Sequence, residues 1–238
     1  MIVTDKTGFE ILQVIKKASS FNQWMFKTIS PFCHGSILEI GSGTGNISEF
    51  FIKTNYKITL SDINSGYVDL LRNQFANCKN VTDILAVDLQ LPDFSKKYTA
   101  LHEKYDTIVL LNVLEHLKDE DSAISNCRYL LKEKGTLIIL VPAFMLLYSP
   151  LDKELGHYRR YALKQLKNCL IRNEMQIQKS FYFNAMGILA WLYGKVFALK
   201  TIPGGEMSFF DKLVPVAKIC DKILFHKTGL SAICISKK

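Results

Sequence analysis

The apolar positions divide the chain into alternating strand and helix segments. Short, nearly continuous apolar runs at 36–40 (SILEI), 57–61 (KITLS), 83–87 (DILAV), 106–111 (DTIVLL) and 136–141 (TLIILV) predict strands covered on both faces. Between them, apolar residues recur at helical spacing in 46–53, 65–76 and 119–132. The last of these segments runs into KEKGT, where Gly135 is expected to close the helix in the left-handed conformation. Upstream, 7–30 shows helical spacing of Ile11, Leu12 and Ile15, then of Phe21, Trp24, Met25 and Ile29, and Pro31 stops the second helix. Phe21 and Trp24 suit packing against the sheet better than a lid over a ligand, because aromatic stripes at helical spacing mark core. Past Tyr161, a helix (ALKQLKNCLIRN) leads to a strand at 175–182 and a last strand at 230–236. The intervening segment, 183–229, reads as two amphipathic helical stretches broken by PGG. Strands alternating with helices build βαβ units. The expected fold is therefore α/β: a doubly wound, mostly parallel seven-stranded sheet with helices on both faces and a helical insertion before the last strand. One domain, 1–238, is expected, with a helical cover at 1–30, a cofactor-binding core at 31–182 and 230–238, and the 183–229 helical insertion as the expected substrate cover.

Ligands of open α/β sheets sit at the carboxyl ends of the strands, and chemistry-bearing residues fall there. The first strand runs into ILEIGSGTGNIS, with Glu39 ahead of Gly41, Gly43 and Gly45. Glycines let a backbone approach a ligand and adopt positive φ, and helix N-terminal amides bind carboxylates as readily as phosphates. GxGxG with a preceding acid differs from the GxGxxG dinucleotide turn. Glu39 repels a pyrophosphate and favours an ammonium or sulfonium. Asp62, 21 residues after Gly41, ends the second strand, where a carboxylate accepts ribose hydroxyls. Asp88 follows the third strand, placed to accept an adenine amino group, with Leu89 as apolar contact. Asn112 and Val113 leave the fourth strand. Asp62 also suits a helix cap and Asp88 a turn. A ligand with a cation, a carboxylate, a ribose and an adenine answers all of these positions, and S-adenosylmethionine has all four.

With these residues in place, the sequence resembles the class I S-adenosylmethionine-dependent methyltransferases, which are Rossmann-like. LEIGSGTG, LSDIN, LAVDLQ, YDTIVLLNVLEHL and KEKGTLIILVP resemble that family's successive motifs, in order, over roughly 20–182 plus the last strand. The resemblance implies methyl transfer with S-adenosyl-L-homocysteine as product, and cofactor contacts from Glu39, Gly41, Gly43, Gly45, Asp62, Ile63, Asp88, Leu89, Asn112 and Val113. NVLEH is similar to small-molecule members, and the GHYRRY run at 156–161 resembles a subgroup of bacterial small-molecule methyltransferases.

A nitrogen or oxygen acceptor must lose a proton, so a base near neutral pKa helps. His116 follows the fourth strand where cofactor and acceptor meet, as a base or as a pocket-lining residue. YSPLDKELGHYRRY, 148–161, gathers Tyr148, Asp152, His157, Arg159 and Arg160. His157 or Tyr148 is expected to contact the acceptor, against the alternative of a loop-locking network of Asp152, His157 and arginine. One of the two arginines is expected to bind an anionic group or structural carboxylate and the other to face solvent.

Composition adds little to the fold but something to the partner. The chain has a formal net charge of +8, and residues 151–238 hold 15 Lys+Arg against 6 Asp+Glu. That excess suits an anionic or lipid-like acceptor, peripheral membrane contact or a solvated lysine face. Trp191, Tyr193, Phe197, Phe209 and Phe210, interleaved with Lys195, Lys200, Lys212, Lys218 and Lys222, fit a membrane contact or a dimer interface. Nucleic acid is disfavoured, since no RNA-binding module is recognisable and no NPPY-type tetrapeptide follows the fourth strand. An RNA or protein methyltransferase is nevertheless the first alternative, a nicotinamide-dependent oxidoreductase the second, and a cofactor-binding protein without catalysis the third. The six cysteines form no CxxC and no zinc-ligand spacing with histidine, so no metal site is expected. Scattered thiols without a signal or membrane-spanning pattern point to the cytoplasm.

Overall fold

A computed structural model describes residues 6–197, 199 and 204–238. Residues 1–5, Lys200 and the break expected at Pro203 lie outside the described residues. The elements follow in the order α1 (Lys6–Lys16), α2 (Ser19–Ile29), β1 (Ser36–Ile40), α3 (Ser48–Lys53), β2 (Lys57–Asp62), α4 (Ser65–Phe75), β3 (Val81–Ala86), α5 (Phe94–Lys97) and β4 (Tyr105–Leu111). They continue with α6 (Glu120–Leu130), β5 (Leu131–Pro142), α7 (Pro150–Glu154), α8 (Leu163–Arg172), β6 (Gln176–Phe183), α9 (Gly187–Val196), α10 (Gly204–Ile223) and β7 (Ser231–Lys237).

The strands form one seven-stranded sheet in the order β3-β2-β1-β4-β5-β7-β6. Pairings from β3 through β5 are parallel, and β7 runs antiparallel between β5 and β6, with Ile138 opposite Ile235. The strand order reverses between β1 and β4, and that switch point opens a crevice at the carboxyl ends. The apolar runs read as strands because they are buried on both faces. Leu38, Ile108, Leu137 and Ile139 pack in one core cluster, whereas Ile37, Val109, Ile138 and Leu140 pack in the other. Polar caps set the helix starts. Asn64 accepts from the Gly66 amide at 2.9 Å to begin α4, and Asp119 accepts from the Ser122 amide at 3.0 Å to begin α6. Each such cap is worth about 1 kcal/mol.

One local expectation fails. The helix predicted over 119–132 stops at Leu130, and Leu131 already pairs with Tyr105 as strand. The left-handed residue is Lys134 (φ 62°), not Gly135. A Cβ on Gly135 would lie 2.8 Å from the Lys132 carbonyl oxygen, so glycine serves a close backbone approach there and not helix closure.

The terminal additions are built into the core. Trp24 packs against Phe183 with centroids 4.3 Å apart and the rings tilted by 47°, and it is buried among β-sheet residues, which is the core reading of that aromatic. Asp211 of α10 accepts from the Phe21 amide at 2.8 Å, and buried Asp221 accepts from the Asn184 and Ala185 amides at 2.8 and 2.7 Å. These carboxylates fasten the insertion to α2 and to the end of β6. Among the described residues no helix is long and apolar enough to cross a membrane.

Candidate active site

The turn after β1 holds Gly41, Gly43 and Gly45 at φ 74°, 54° and 79°. A Cβ at Gly41 would stand 2.4 Å from Val113 Cγ2, so only glycine lets this turn lie against the end of β4. Glu39 is buried beneath the turn and accepts hydrogen bonds from Ser42 Oγ at 3.1 Å and from Ser48 Oγ. Burial pushes its carboxyl up to about 7, against the lowering effect of the two serine hydroxyls. Its observed contacts lock the turn to the start of α3. Asp62, at the end of β2, accepts from the Gly43 amide and from the Asn64 amide, each at 2.9 Å. It thereby joins the glycine turn to the entry of α4.

Beside this turn lies a cleft lined by Gly41, Asp62, Ile63, Asp88, Leu89 and Val113, with Leu117 beyond. Ile63 is 64% exposed, an unusual state for an isoleucine next to a buried carboxylate, while Leu89 is buried. Asp88 accepts from the Gln90 amide at 2.8 Å, so one of its oxygens serves a turn. Asn112 is exposed at φ 54°, and its amide donates to the Leu140 carbonyl at 2.8 Å. That left-handed residue ends β4 and turns the chain along the cleft. Of the ten residues expected to touch a cofactor, Gly41, Asp62, Ile63, Asp88, Leu89 and Val113 line the cleft and Gly43 and Gly45 lie on the turn, whereas Glu39 sits in β1 beneath the turn and Asn112 is not part of the lining.

The second group comes from two distant segments. His116 and His157 face each other with ring centroids 4.6 Å apart, nearly perpendicular. The segment 156–161 is drawn against the end of β5 by Tyr161, whose amide donates to Pro142 and whose carbonyl accepts from Phe144. Tyr158 N donates to the Glu115 carbonyl at 2.8 Å and ties the two histidine segments together. Asp152, fully buried, is the hub. It accepts from Ser149 N at 2.8 Å, Ser149 Oγ at 3.0 Å, His157 Nδ1 at 2.8 Å and Arg160 Nε at 2.8 Å. Burial raises its pKa, but the His157 bond and the Arg160 charge outweigh that and hold it below the usual carboxylate range. Arg160 also lies over the Trp191 ring at 4.3 Å, which brings α9 to this loop. Tyr148 donates its hydroxyl to the His157 carbonyl at 2.7 Å.

Neither arginine simply faces solvent. Arg160 is buried on Asp152, while Arg159 bonds Glu120 Oε2 and the Lys118 carbonyl, both at 2.8 Å. Two carboxylates, Glu120 and Asp152, take one arginine each. Sequence reasoning also passed over Glu115. It is fully buried, and burial pushes its carboxyl up to about 8, against its own amide and Arg160. The signal was an acid inside the apolar run VLEHL.

The crevice at the strand-order reversal, with its glycine turn and the carboxylates of Asp62 and Asp88, places the chain among the doubly wound α/β folds, whose ligands bind at this end of the sheet. Comparison with known proteins narrows that class. Residues 38–137 match a family model described as a methyltransferase domain. The chain is 27% identical over 176 residues to the ubiquinone biosynthesis O-methyltransferase of Actinobacillus pleuropneumoniae serotype 7, covering 67% of this chain and 74% of that protein. It is 33% identical over 116 residues to the enzyme of the same name from Histophilus somni, covering 48% of each chain, so this match spans about half of that relative's length. Among solved structures, phosphoethanolamine N-methyltransferase 2 of Haemonchus contortus, with phosphomonomethylethanolamine and S-adenosylhomocysteine bound, superposes with a TM-score of 0.63 at 15% identity. That superposition covers 98% of this chain and 59% of that one. These matches support an S-adenosylmethionine-dependent methyltransferase with S-adenosylmethionine as cofactor, on a fold shared with solved enzymes of that kind.

Proposed function

We propose that this methyltransferase acts on a small-molecule acceptor held between the glycine turn and the His116–His157 pair. One observation carries the reading: an otherwise apolar cleft holds two carboxylates, Asp62 and Asp88, and its lining residues Val113 and Leu117 flank in sequence the segment that bears His116, whose ring meets that of His157. The chemistry of the lining suits a nucleoside, with Ile63 and Leu89 offering apolar contact to a base and the carboxylates accepting from ribose hydroxyls and a ring amino group. The Gly41–Gly45 turn, with Glu39 beneath it, receives the methionine end. Bound there, the cofactor supplies a methyl group on a positively charged sulfur, and the protein's part is alignment and exclusion of water. An oxygen or nitrogen acceptor must also shed a proton, and the imidazole pair is the group placed to assist. Asp152 and Arg160 fix the His157 ring, while Tyr148 fixes its backbone. The similarity to two ubiquinone biosynthesis O-methyltransferases supports a hydroxyl acceptor. The test is calorimetric titration with S-adenosylhomocysteine and with NADH, followed by turnover of His157→Ala on a panel of phenolic acceptors. Saturation by the first ligand only, with turnover lowered far more than cofactor affinity, is expected. Saturation by NADH alone, or wild-type turnover in the variant, refutes the assignment.

The edge of the acceptor loop favours an acceptor with an apolar tail. Met145 and Leu146 are 54% and 84% exposed, and α9 adjoins them through a Trp191 Nε1 bond to the Leu147 carbonyl at 2.9 Å. Leu189, Val196 and Phe197 of that helix region are exposed too, beside Lys195. An apolar rim with a cation suits a lipid-like substrate drawn from an anionic surface. Flotation with anionic vesicles is expected to carry the protein upward, and its staying at the bottom removes this refinement. All six cysteines are free thiols, which suits a reducing cytoplasm.

A further inference from the structure

Glu115 is fully buried, and neither carboxylate oxygen accepts a hydrogen bond from another residue among the described residues. A buried anion without donors is strongly penalised unless a proton or cation meets it. The guanidinium of Arg160 does not fill that place, being committed to Asp152 Oδ1 at 2.8 Å and to the Ala143 carbonyl at 3.3 Å. Two imidazoles stand beside the carboxylate instead. One donor atom from each of Glu115, His116 and His157 lies within 4.8 Å of the other two. His157 Nδ1 is taken by Asp152 Oδ1 at 2.8 Å, which leaves Nε2 as its available nitrogen. An imidazole fixed from behind by a carboxylate is the arrangement that orients histidine on metals. The segments are also tied to each other through Tyr158 N and the Glu115 carbonyl at 2.8 Å.

We propose that Glu115, His116 and His157 bind one divalent cation of the zinc type. Two imidazoles and a carboxylate are a zinc donor set that leaves a coordination position open. The nitrogen content argues against magnesium and calcium, which take oxygen ligands. Metal–ligand bonds of about 2.0–2.2 Å require each donor to close in by less than about 1 Å, a side-chain adjustment. Glu115 and His116 lie in sequence between Val113 and Leu117, both of which line the cleft. On the reading of this region as the acceptor site, on which this part rests, the open position takes an acceptor oxygen and favours its anionic form. Local spacing gave no hint of the site, because the donors lie 41 and 42 residues apart in sequence.

The test is titration of chelator-treated protein with Co2+, followed by Zn2+. A single equivalent of Co2+ giving visible d–d bands, displaced by Zn2+, is expected for the wild type, with the bands lost in Glu115→Gln and His157→Ala. Calorimetry with S-adenosylhomocysteine on the same samples checks the fold, since neither residue lines the cleft. No bands in the wild type, or full bands in both variants, overturns the proposal. Where a variant fails to fold, the wild-type imidazole 15N resonances decide. Zn2+ shifts confined to His116 and His157, out of the five histidines, support the site, and any other pattern overturns it. Cobalt bands in a wild type that does not bind S-adenosylhomocysteine uphold the metal site while refuting the cofactor cleft.

Discussion

Replacing Gly41 by alanine tests the close approach of the glycine turn to β4. The residue sits at φ 74°, and its new Cβ would fall 2.4 Å from Val113 Cγ2. Two costs follow, and they are separable. The left-handed conformation costs a residue with a Cβ about 1–2 kcal/mol. Relieving the overlap by moving Val113 or the turn costs about 1–3 kcal/mol more. Gly41→Ala should therefore lose about 2–5 kcal/mol of unfolding free energy. Val113→Ala alone, at a half-buried site, should lose about 1 kcal/mol. In the double variant the overlap disappears while the φ strain stays, so a double-mutant cycle should show a favourable coupling of about 1–3 kcal/mol. Urea denaturation of the four proteins measures this. Calorimetry with S-adenosylhomocysteine measures the functional consequence, a loss of at least about tenfold in Gly41→Ala with partial recovery in the double variant. Wild-type stability and affinity in Gly41→Ala would show that the turn is not held against Val113. Loss without coupling would assign the whole effect to φ.

Two further predictions concern the layer beneath the site and the aromatic cover. The Glu39 carboxyl has a folded pKa raised from 4.5 to about 7, so the folded state binds the extra proton between those values. Its contribution to stability is fully present below pH 4.5 and is lost as pH rises to about 7, up to about 3 kcal/mol. Urea midpoints across that range should show Glu39→Gln with a flatter pH dependence than wild type, and parallel curves would contradict the burial argument. Trp24→Ala should cost about 3–5 kcal/mol by opening a core cavity, with S-adenosylhomocysteine affinity unchanged once the protein is folded. A selective loss of affinity would instead place Trp24 over the cofactor.

Much of the fold was legible because burial on both faces writes a strand as an unbroken apolar run. The strands at 36–40 and 106–111 emerge within a residue of their predicted limits for that reason. The glycine turn was equally legible, since acid and glycines stand within seven consecutive residues of one loop. Where the pattern misled, a local rule met a tertiary demand. Gly135 obeys the close approach of the Lys132 carbonyl and not helix closure. Arg159 finds Glu120, 39 residues away, instead of water.

The sequence by itself determined the α/β alternation and the order of motifs at the strand ends, because periodicity and turn chemistry are properties of neighbouring residues. Only the tertiary structure decided that Glu39 turns under the loop onto Ser42 and Ser48, and that Glu115, His116 and His157 meet. Side-chain direction and partnership between distant segments depend on how β4 and β5 end beside one another, and chain spacing carries no record of that juxtaposition.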